Sequence, residues 1–130
     1  MNNLHVTCIH AAVRHGDSAF NRQVLQHELH LAGRAGAKVV IAPEMVISGY
    51  AFTSRDEILP LAETAAGPTF QALAPLCQEH GLFCCFGFAE QDQASGLLFN
   101  SAVVIDPEGK LALCCRKINA ECRWASPGNP

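Results

Sequence analysis

The sequence predicts an α/β domain in which two helices pack on one face of a mixed β-sheet. Short apolar runs alternate with two segments of helical periodicity, which is the order expected of a layered α/β domain. The segment Asp106-Pro107-Glu108-Gly109 is a tight-turn sequence, and it joins the last two apolar runs into an antiparallel hairpin. The 130 residues are 49% hydrophobic and 16% charged, which suits one folded domain with a buried core.

The first half of the chain predicts a strand, a helix and a second strand. The first strand covers residues 4–11, and a turn at Gly16-Asp17 then starts a helix over Ser18–Ala35. The second strand, residues 38–42, is apolar and β-branched without alternation, so we expect it to be covered on both faces. Residues 43–60 are rich in loop-forming residues and leave room for at most one short helix.

The second half predicts a helix followed by three strands. Pro68 suits the first turn of a helix that runs to His80, and Gly81 ends it. Apolar residues recur along this helix at the spacing of a single buried face: Phe70, Leu73, Ala74 and Cys77. The three strands cover residues 82–89, 97–105 and 110–115.

Charge and hydropathy exclude several classes of function. Nine basic and twelve acidic residues give a net charge of −3, which is not the footprint of a nucleic-acid-binding protein. No apolar run is long enough to span a bilayer. The first residues, 1–5, lack the basic-then-apolar pattern of a signal peptide. We therefore predict a cytoplasmic protein whose partners are neither nucleic acids nor membranes.

Seven cysteines are an unusual number for such a chain. Four of them form the adjacent pairs Cys84-Cys85 and Cys114-Cys115 inside apolar runs, and no Cys-x-x-Cys spacing occurs. A zinc ribbon or a thioredoxin-like motif is therefore unsupported. We expect most of these cysteines to be small buried hydrophobic residues.

Two histidines could offer a metal ligand pair. His27 and His30 lie three residues apart on the first predicted helix, a spacing that can bind a metal ion. No third ligand is visible in the sequence, so we predict that both are surface histidines and that the protein has no metal site.

Glu44 is the first candidate catalytic residue. It follows the second strand directly, and in α/β sheets reactive groups gather just past the C-terminal ends of strands. Among the apolar neighbours Ile41, Met45 and Val46, its carboxylate would be partly desolvated. Desolvation raises a carboxyl pKa, which suits a general base. The alternative is an exposed loop glutamate without a role.

Lys117 is the second candidate, because it follows the last strand directly after Arg116. A lysine beside a carboxylate at such a position can stabilise a developing oxyanion. The alternative is a solvated basic pair at a strand end. In the hairpin, Asn100 could tie down a neighbouring loop, and we assign it no chemical role.

Taken together, three segments resemble the nitrilase superfamily of carbon–nitrogen hydrolases. They are the strand-Pro-Glu-x-x-x-x-Gly-Tyr segment at 43–50, Asn-Ser-Ala-Val-Val-Ile-Asp-Pro-x-Gly at 100–109, and Arg-Lys at 116–117. Glu121, Trp124 and Pro127-Gly128 follow at spacings like those of the family. The resemblance covers essentially the whole chain, and the motifs occur in the family's order.

The resemblance implies an α-β-β-α sandwich, of which this chain is roughly the first half, with a Glu-Lys-Cys catalytic triad. Glu44 matches the general base, Lys117 matches the lysine that stabilises the tetrahedral intermediate, and Glu121 resembles a second glutamate that positions the substrate or the lysine. The family needs no metal or organic cofactor. Two segments depart from the family pattern: Cys115, which precedes Arg116-Lys117, and Ile118-Asn119-Ala120, which follow it.

The third member of the triad is a nucleophilic cysteine a few tens of residues beyond the lysine, and this sequence stops at Pro130. Cys122 lies too close to Lys117 to take that place. We therefore expect residues 1–130 to be a partial domain truncated before the nucleophile, which forms a homo-oligomer or pairs with its missing half.

Three functional hypotheses follow from these observations. The first is hydrolysis of a non-peptide carbon–nitrogen bond in a small amide or N-carbamoyl compound. The second is a catalytically inactive homologue that acts only as a binding or assembly partner. The third is an unrelated α/β binding domain. The first requires Glu44 and Lys117 to meet within salt-bridge range at the C-terminal ends of neighbouring strands.

Overall fold

A five-stranded mixed sheet forms the centre of the protein. The computed structural model describes residues 3–119 and 124–128. The strands lie in chain order across the sheet: β1 (Val6–Cys8), β2 (Val39–Ile41), β3 (Phe83–Gln91), β4 (Leu98–Ile105) and β5 (Leu111–Arg116). β1, β2 and β3 are parallel, whereas β4 is antiparallel to both of its neighbours. The predicted mixed sheet and its terminal hairpin are confirmed.

In the described part of the chain, three α-helices accompany the sheet: α1 (Ser18–Arg34), α2 (Arg55–Ile58) and α3 (Pro68–His80), with a 3-10 turn at Leu59–Leu61 after α2. Asp17 begins α1 because its Oδ1 accepts a hydrogen bond from the Phe20 backbone N–H at 3.0 Å. Gly81 ends α3 in the left-handed conformation, with φ of 59°. Within the described part of the chain, no helix combines the length and hydrophobicity needed to cross a membrane.

The main core lies between the two long helices and one face of the sheet. Leu25 and Leu29 of α1 and Leu73 of α3 are at most 1% exposed, and they pack with apolar side chains of the central strands: Val40, Cys84, Phe86, Phe88, Val103 and Ile105. Burying one such large side chain stabilises the fold by about 1.5–3 kcal/mol. Because α1 and α3 share this core, the prediction of two helices on one face of the sheet is confirmed.

The opposite face of the sheet, called the open face below, is only partly covered. The strand register places Val6, Ile41, Phe83 and Leu113 on it, and these side chains are 42–52% exposed. The expectation that β2 is covered on both faces is therefore wrong, since Val40 is fully buried under the helices and Ile41 is 42% exposed. The described residues supply one layer of long helices, and the loop after β2 covers only one end of the open face.

The expectation that most cysteines are buried is also wrong. Among the six described cysteines, only Cys77 and Cys84 are buried, and Cys85 is half-buried. The other three are exposed: Cys8, Cys114 and Cys115. Cys8 and Cys115 are exposed because they lie on the side of the sheet that the helices do not cover. Cys114 pairs with Val103 on the helix-covered side, but it belongs to β5, the last strand of the described sheet.

His30 differs from its prediction as well. His27 is exposed, as expected of a surface histidine, but His30 is half-buried. Its Nδ1 lies 3.1 Å from Nε2 of His80 on α3. The sequence offered no sign of this partner, because the two histidines are 50 residues apart.

Candidate active site

Glu44 and Lys117 meet on the open face of the sheet. Lys117 Nζ lies 3.1 Å from Glu44 Oε1, and the two side chains are 41% and 42% exposed. The predicted convergence within salt-bridge range is confirmed. The prediction that the preceding strands are neighbours is wrong, because Glu44 follows β2, Lys117 follows β5, and both β3 and β4 lie between these strands.

Gly87 of β3 allows the loop that carries Glu44 to cross over the sheet towards Lys117. A Cβ atom at Gly87 would lie 2.7 Å from the Glu44 Cα and 2.8 Å from the Met45 backbone nitrogen. The loop after β2 therefore crosses directly over β3, and it is held there by backbone bonds from Gly87 N to Pro43 O at 3.3 Å and from Val46 N to Gly87 O at 3.1 Å. Gly87 was not among the candidate residues, although a glycine inside an apolar strand is a signal of close backbone approach.

Lys117 is fixed through its backbone. Its N–H donates to the Asn100 carbonyl at 2.8 Å, and its own carbonyl accepts from the Gly128 N–H at 3.1 Å. Since β5 runs in the same direction as β2, both strands deliver their C-terminal residues to the same end of the sheet.

Arg116 points away from Lys117 into a separate ion network. It donates to both carboxylate oxygens of Glu90, at 2.9 and 2.5 Å, and to Asp92 at 2.7 Å. Burial raises the pKa of Glu90, but the hydrogen bonds from Arg116 and Ser101 outweigh it and hold this pKa below its ordinary value. The alternative of a solvated basic pair is wrong, because Arg116 anchors the end of β5 to a buried carboxylate and Lys117 pairs with Glu44.

Asn100 holds the Glu44 carboxylate. Its Nδ2 donates to Glu44 Oε1 at 2.6 Å, and the residue is only 4% exposed. Asn100 thus ties down the neighbouring loop, as the sequence indicated. It also contacts the candidate base directly, a role that was not predicted from the sequence.

The electrostatics of Glu44 differ from the expectation of a raised pKa. Burial does raise the pKa of Glu44, but hydrogen bonds from Asn100, Lys117 and Tyr50 together hold it below its ordinary value. The carboxylate is therefore ionised at neutral pH and is prepared to accept a proton. Glu44 does lie in an exposed loop, as the alternative expected, but its carboxylate accepts hydrogen bonds from Asn100 and Lys117.

A cleft of about 340 Å³ opens beside the Glu44–Lys117 pair. Small side chains leave this space on the sheet, and its lining includes Ala42, Gly87, Ala102 and two thiols, Cys85 and Cys115. Among the described residues, neither thiol hydrogen-bonds to Glu44. Burial, with a smaller contribution from Cys115, raises the pKa of Cys85, which opposes formation of a reactive thiolate. Glu121 and Cys122 lie outside the described residues.

The sequence matches the carbon–nitrogen hydrolase family over residues 6–129, and the chain therefore belongs to this family. Protein N-terminal amidase of Saccharomyces cerevisiae is 29% identical over 96 residues, which cover 71% of this chain and 21% of that protein. A nitrilase of Pyrococcus abyssi is 35% identical over 79 residues, or 60% of this chain and 29% of that protein. A formamidase of Bacillus thuringiensis is 30% identical over 88 residues, which cover 68% of this chain and 26% of that protein. This membership excludes the hypothesis of an unrelated binding domain.

Solved structures show the same fold. An N-terminal amidase crystal structure superposes with a TM-score of 0.81 at 23% identity, covering 92% of this chain and 30% of that one. The NitN amidase of Nesterenkonia sp. AN1 gives a TM-score of 0.80 at 15% identity, covering 98% of this chain and 51% of that one. The chain thus spans 21–29% of the length of the three curated relatives named above.

Proposed function

We propose that this chain supplies the general base and the oxyanion-stabilising cation for hydrolysis of a non-peptide carbon–nitrogen bond. The substrate is a small amide or N-carbamoyl compound, and the nucleophile is a cysteine outside residues 1–130. One observation carries the proposal: Lys117 Nζ and Asn100 Nδ2 converge on the same oxygen of Glu44, at 3.1 and 2.6 Å, beside an open cleft. An ionised carboxylate next to a cation and beside open space supports these two roles.

The proposed reaction proceeds through a thioester. Glu44 accepts the thiol proton of the cysteine, and the thiolate attacks the substrate carbonyl carbon. The carbonyl π electrons move to oxygen, where Lys117 stabilises the negative charge. Collapse of the intermediate breaks the carbon–nitrogen bond, and the amine leaves with the proton from Glu44. Glu44 then takes a proton from water, and the hydroxide attacks the thioester carbon. The carbon–sulfur bond breaks, the acid is released, and Glu44 returns its proton to the leaving thiolate.

The names of the relatives favour an amide carbonyl as the reacting group. An N-terminal amidase and a formamidase are among them, as well as a nitrilase. The family resemblance adds Glu121 as a residue that positions Lys117 or the substrate. A homo-oligomer, or pairing with a second half of the sandwich, would close the cleft over the open face.

Cys85 and Cys115 are poor candidates for the nucleophile, although both line the cleft. A nucleophile and its base need to lie within hydrogen-bond reach, and neither thiol meets this condition with Glu44. We therefore propose that the attacking cysteine comes from a segment beyond residue 130. Residues 1–130 alone should then release no ammonia from any small amide.

The test is ammonia release from a panel of amides and N-carbamoyl compounds, measured for residues 1–130 and for the longer polypeptide with its second half. The longer form should be active and blocked by thiol alkylation. Glu44→Gln should lower its kcat by roughly 10²–10⁴-fold, since an amide cannot take the thiol proton. Lys117→Ala should cost roughly 10²–10³-fold through lost charge stabilisation.

Lys110→Ala is the matched control, because Lys110 is an exposed lysine at the other end of β5. It should leave the turnover unchanged. Thiol-dependent turnover by residues 1–130 alone would overturn the placement of the nucleophile, and Cys122 would be re-examined first. Absence of turnover in both forms would favour the second hypothesis, a chain that acts only as a binding or assembly partner.

A further inference from the structure

His30, Glu79 and His80 form a cluster at the C-terminal ends of the two long helices. Nδ1 of His30 lies 3.1 Å from Nε2 of His80, and Oε1 of Glu79 lies 3.8 Å from the same Nε2. The three ligand atoms all lie within 4.8 Å of one another. This cluster belongs to the helix layer, on the opposite side of the sheet from Glu44 and Lys117.

We propose that this cluster binds a zinc ion that joins α1 to α3. Zinc binds histidine nitrogens at about 2.0–2.1 Å in tetrahedral sites, which places two such nitrogens about 3.3 Å apart. The His30–His80 nitrogen distance of 3.1 Å is close to this tetrahedral edge. Glu79 supplies the carboxylate oxygen, and the fourth position is open to water.

His80 is held in place before any ion binds. The His80 ring packs on the backbone of Gly33, where a Cβ atom would lie 2.3 Å from the ring's Cγ. The side chain of His80 is only 11% exposed. The rings of His30 and His80 are inclined at 61° with centroids 5.0 Å apart, and one nitrogen of each ring lies 3.1 Å from the other.

Glu79 completes the site from the surface. Its side chain is 58% exposed, so rotation about its bonds can shorten the 3.8 Å separation without disturbing the core. The site therefore has two nitrogen ligands 3.1 Å apart and one adjustable oxygen ligand, a combination suited to zinc. Bound zinc would act as a clamp between the helices, and it takes no part in the proposed hydrolysis.

The alternative explanation of the short nitrogen distance is a hydrogen bond between two neutral imidazoles. That bond needs no carboxylate, whereas a zinc site gains affinity from one. Zinc binding and its dependence on each of the three residues separate the two explanations.

The experiment measures zinc binding to the full-length protein by calorimetry and repeats the titration with Co²⁺ in the spectrophotometer. The unmodified protein should bind one zinc ion that depends on this cluster. The Co²⁺ spectrum should show tetrahedral d–d bands without a thiolate charge-transfer band from this site. His30→Gln should weaken this binding by at least about 10–100-fold, the loss that removing even an outer-shell partner causes.

His27→Gln is the matched control, because His27 is an exposed histidine one turn earlier on the same helix. It should bind zinc like the unmodified protein. His80→Gln should repeat the effect of His30→Gln, and Glu79→Gln should weaken binding to a smaller extent. Circular dichroism verifies the fold of each variant. If His80→Gln does not fold, the two single variants His30→Gln and Glu79→Gln show whether zinc binds at this cluster.

Either of two results would overturn the proposal. One is failure of the unmodified protein to bind zinc at this cluster, which would leave only the hydrogen-bonded imidazole pair. The other is unchanged zinc affinity and stoichiometry in folded His30→Gln, which would assign the bound ion to other ligands.

Discussion

The Glu44 carboxylate lies between a buried amide and a half-exposed ammonium group. Asn100 and Lys117 both donate to Oε1, which holds the pKa of Glu44 below its ordinary value despite the opposing effect of burial. A general base must be ionised to act, so activity should be present above this pKa and should be lost as the pH falls through it. The lowered pKa of Glu44 therefore extends the pH range of activity to lower pH.

Replacing Asn100 with leucine tests how much the buried amide contributes to the pH range of activity. Loss of its hydrogen bond should raise the pKa of Glu44, so the acidic limb of kcat/KM should move to higher pH. A hydrogen bond to a charged group contributes about 1.5–3 kcal/mol, so the overall activity should fall as well. The measurement is the pH profile of kcat/KM for the complete enzyme.

Ser101→Ala is the matched control for this prediction. Ser101 is the next residue on β4, and it donates to the carboxylate of Glu90 at 2.6 Å on the opposite face. This change also removes a buried hydrogen bond to a carboxylate, but it should leave the acidic limb in place. An acidic limb that is the same in Asn100→Leu and the unmodified enzyme would contradict the assignment of Glu44 as the base.

At the scale of elements, the loop after β2 decides where the candidate base lies. Met45, next to Glu44, has a positive φ of 52°, a conformation that non-glycine residues seldom adopt. Such a residue persists only where its surroundings hold it, and here the bonds to Gly87 do so. The loop therefore depends on the strand beneath it.

Adding a side chain at Gly87 should displace this loop. Gly87→Ala should destabilise the protein by about 1–3 kcal/mol, because the new Cβ meets backbone atoms that cannot rotate away. Gly87→Val should cost more, and both changes should lower kcat/KM because they move Glu44 away from Lys117. Denaturant unfolding and steady-state kinetics measure the two effects. A Gly87→Val enzyme with normal stability and activity would contradict the close approach of the loop to β3.

The regular elements themselves could be predicted from the sequence. Periodicity and capping signals are local, so α1 was predicted with its C-terminal end within one residue, and α3 was predicted with its bounds as found. The extents of β1 and β2 were predicted less well. Both strands were predicted longer than the three residues that they have, because pairing with a neighbour limits a strand and apolar sequence alone does not show the pairing.

At the scale of the whole molecule, the open face has exposed apolar side chains on several strands. Ile41, Phe83 and Leu113 are 42–52% exposed there. An exposed apolar surface of this kind marks an interaction site. Solved relatives share this fold, and the chain covers 27–51% of their length. We propose that the open face is covered by a second half of the sandwich or by a second copy of the chain.

Leu113→Lys should weaken self-association of residues 1–130. A lysine placed on the open face opposes burial of that face, so the variant should be more monomeric and more soluble. Sedimentation velocity over a range of concentrations measures the effect. Leu31→Lys is the control, because Leu31 is 46% exposed on the helix layer and should not change the association. A chain that is already monomeric at every concentration would contradict the prediction.

The sequence by itself determined the order of the elements, the hairpin and the two charged residues that follow strand ends. These features depend on local periodicity, turn chemistry and chain position, all of which can be read within a short window. Glu44 and Lys117 were candidates because each follows the end of a strand, and the family resemblance indicated that they act together.

Only the tertiary structure decided what these residues meet. Asn100 contacts Glu44 across 56 residues of sequence, and Lys117 contacts it across 73. These contacts reverse the expected direction of the Glu44 pKa shift. Desolvation can be predicted from apolar neighbours in the sequence, whereas hydrogen-bond donors on distant strands cannot. The same holds for His30 and His80, which are brought together because α1 and α3 pack side by side on one sheet.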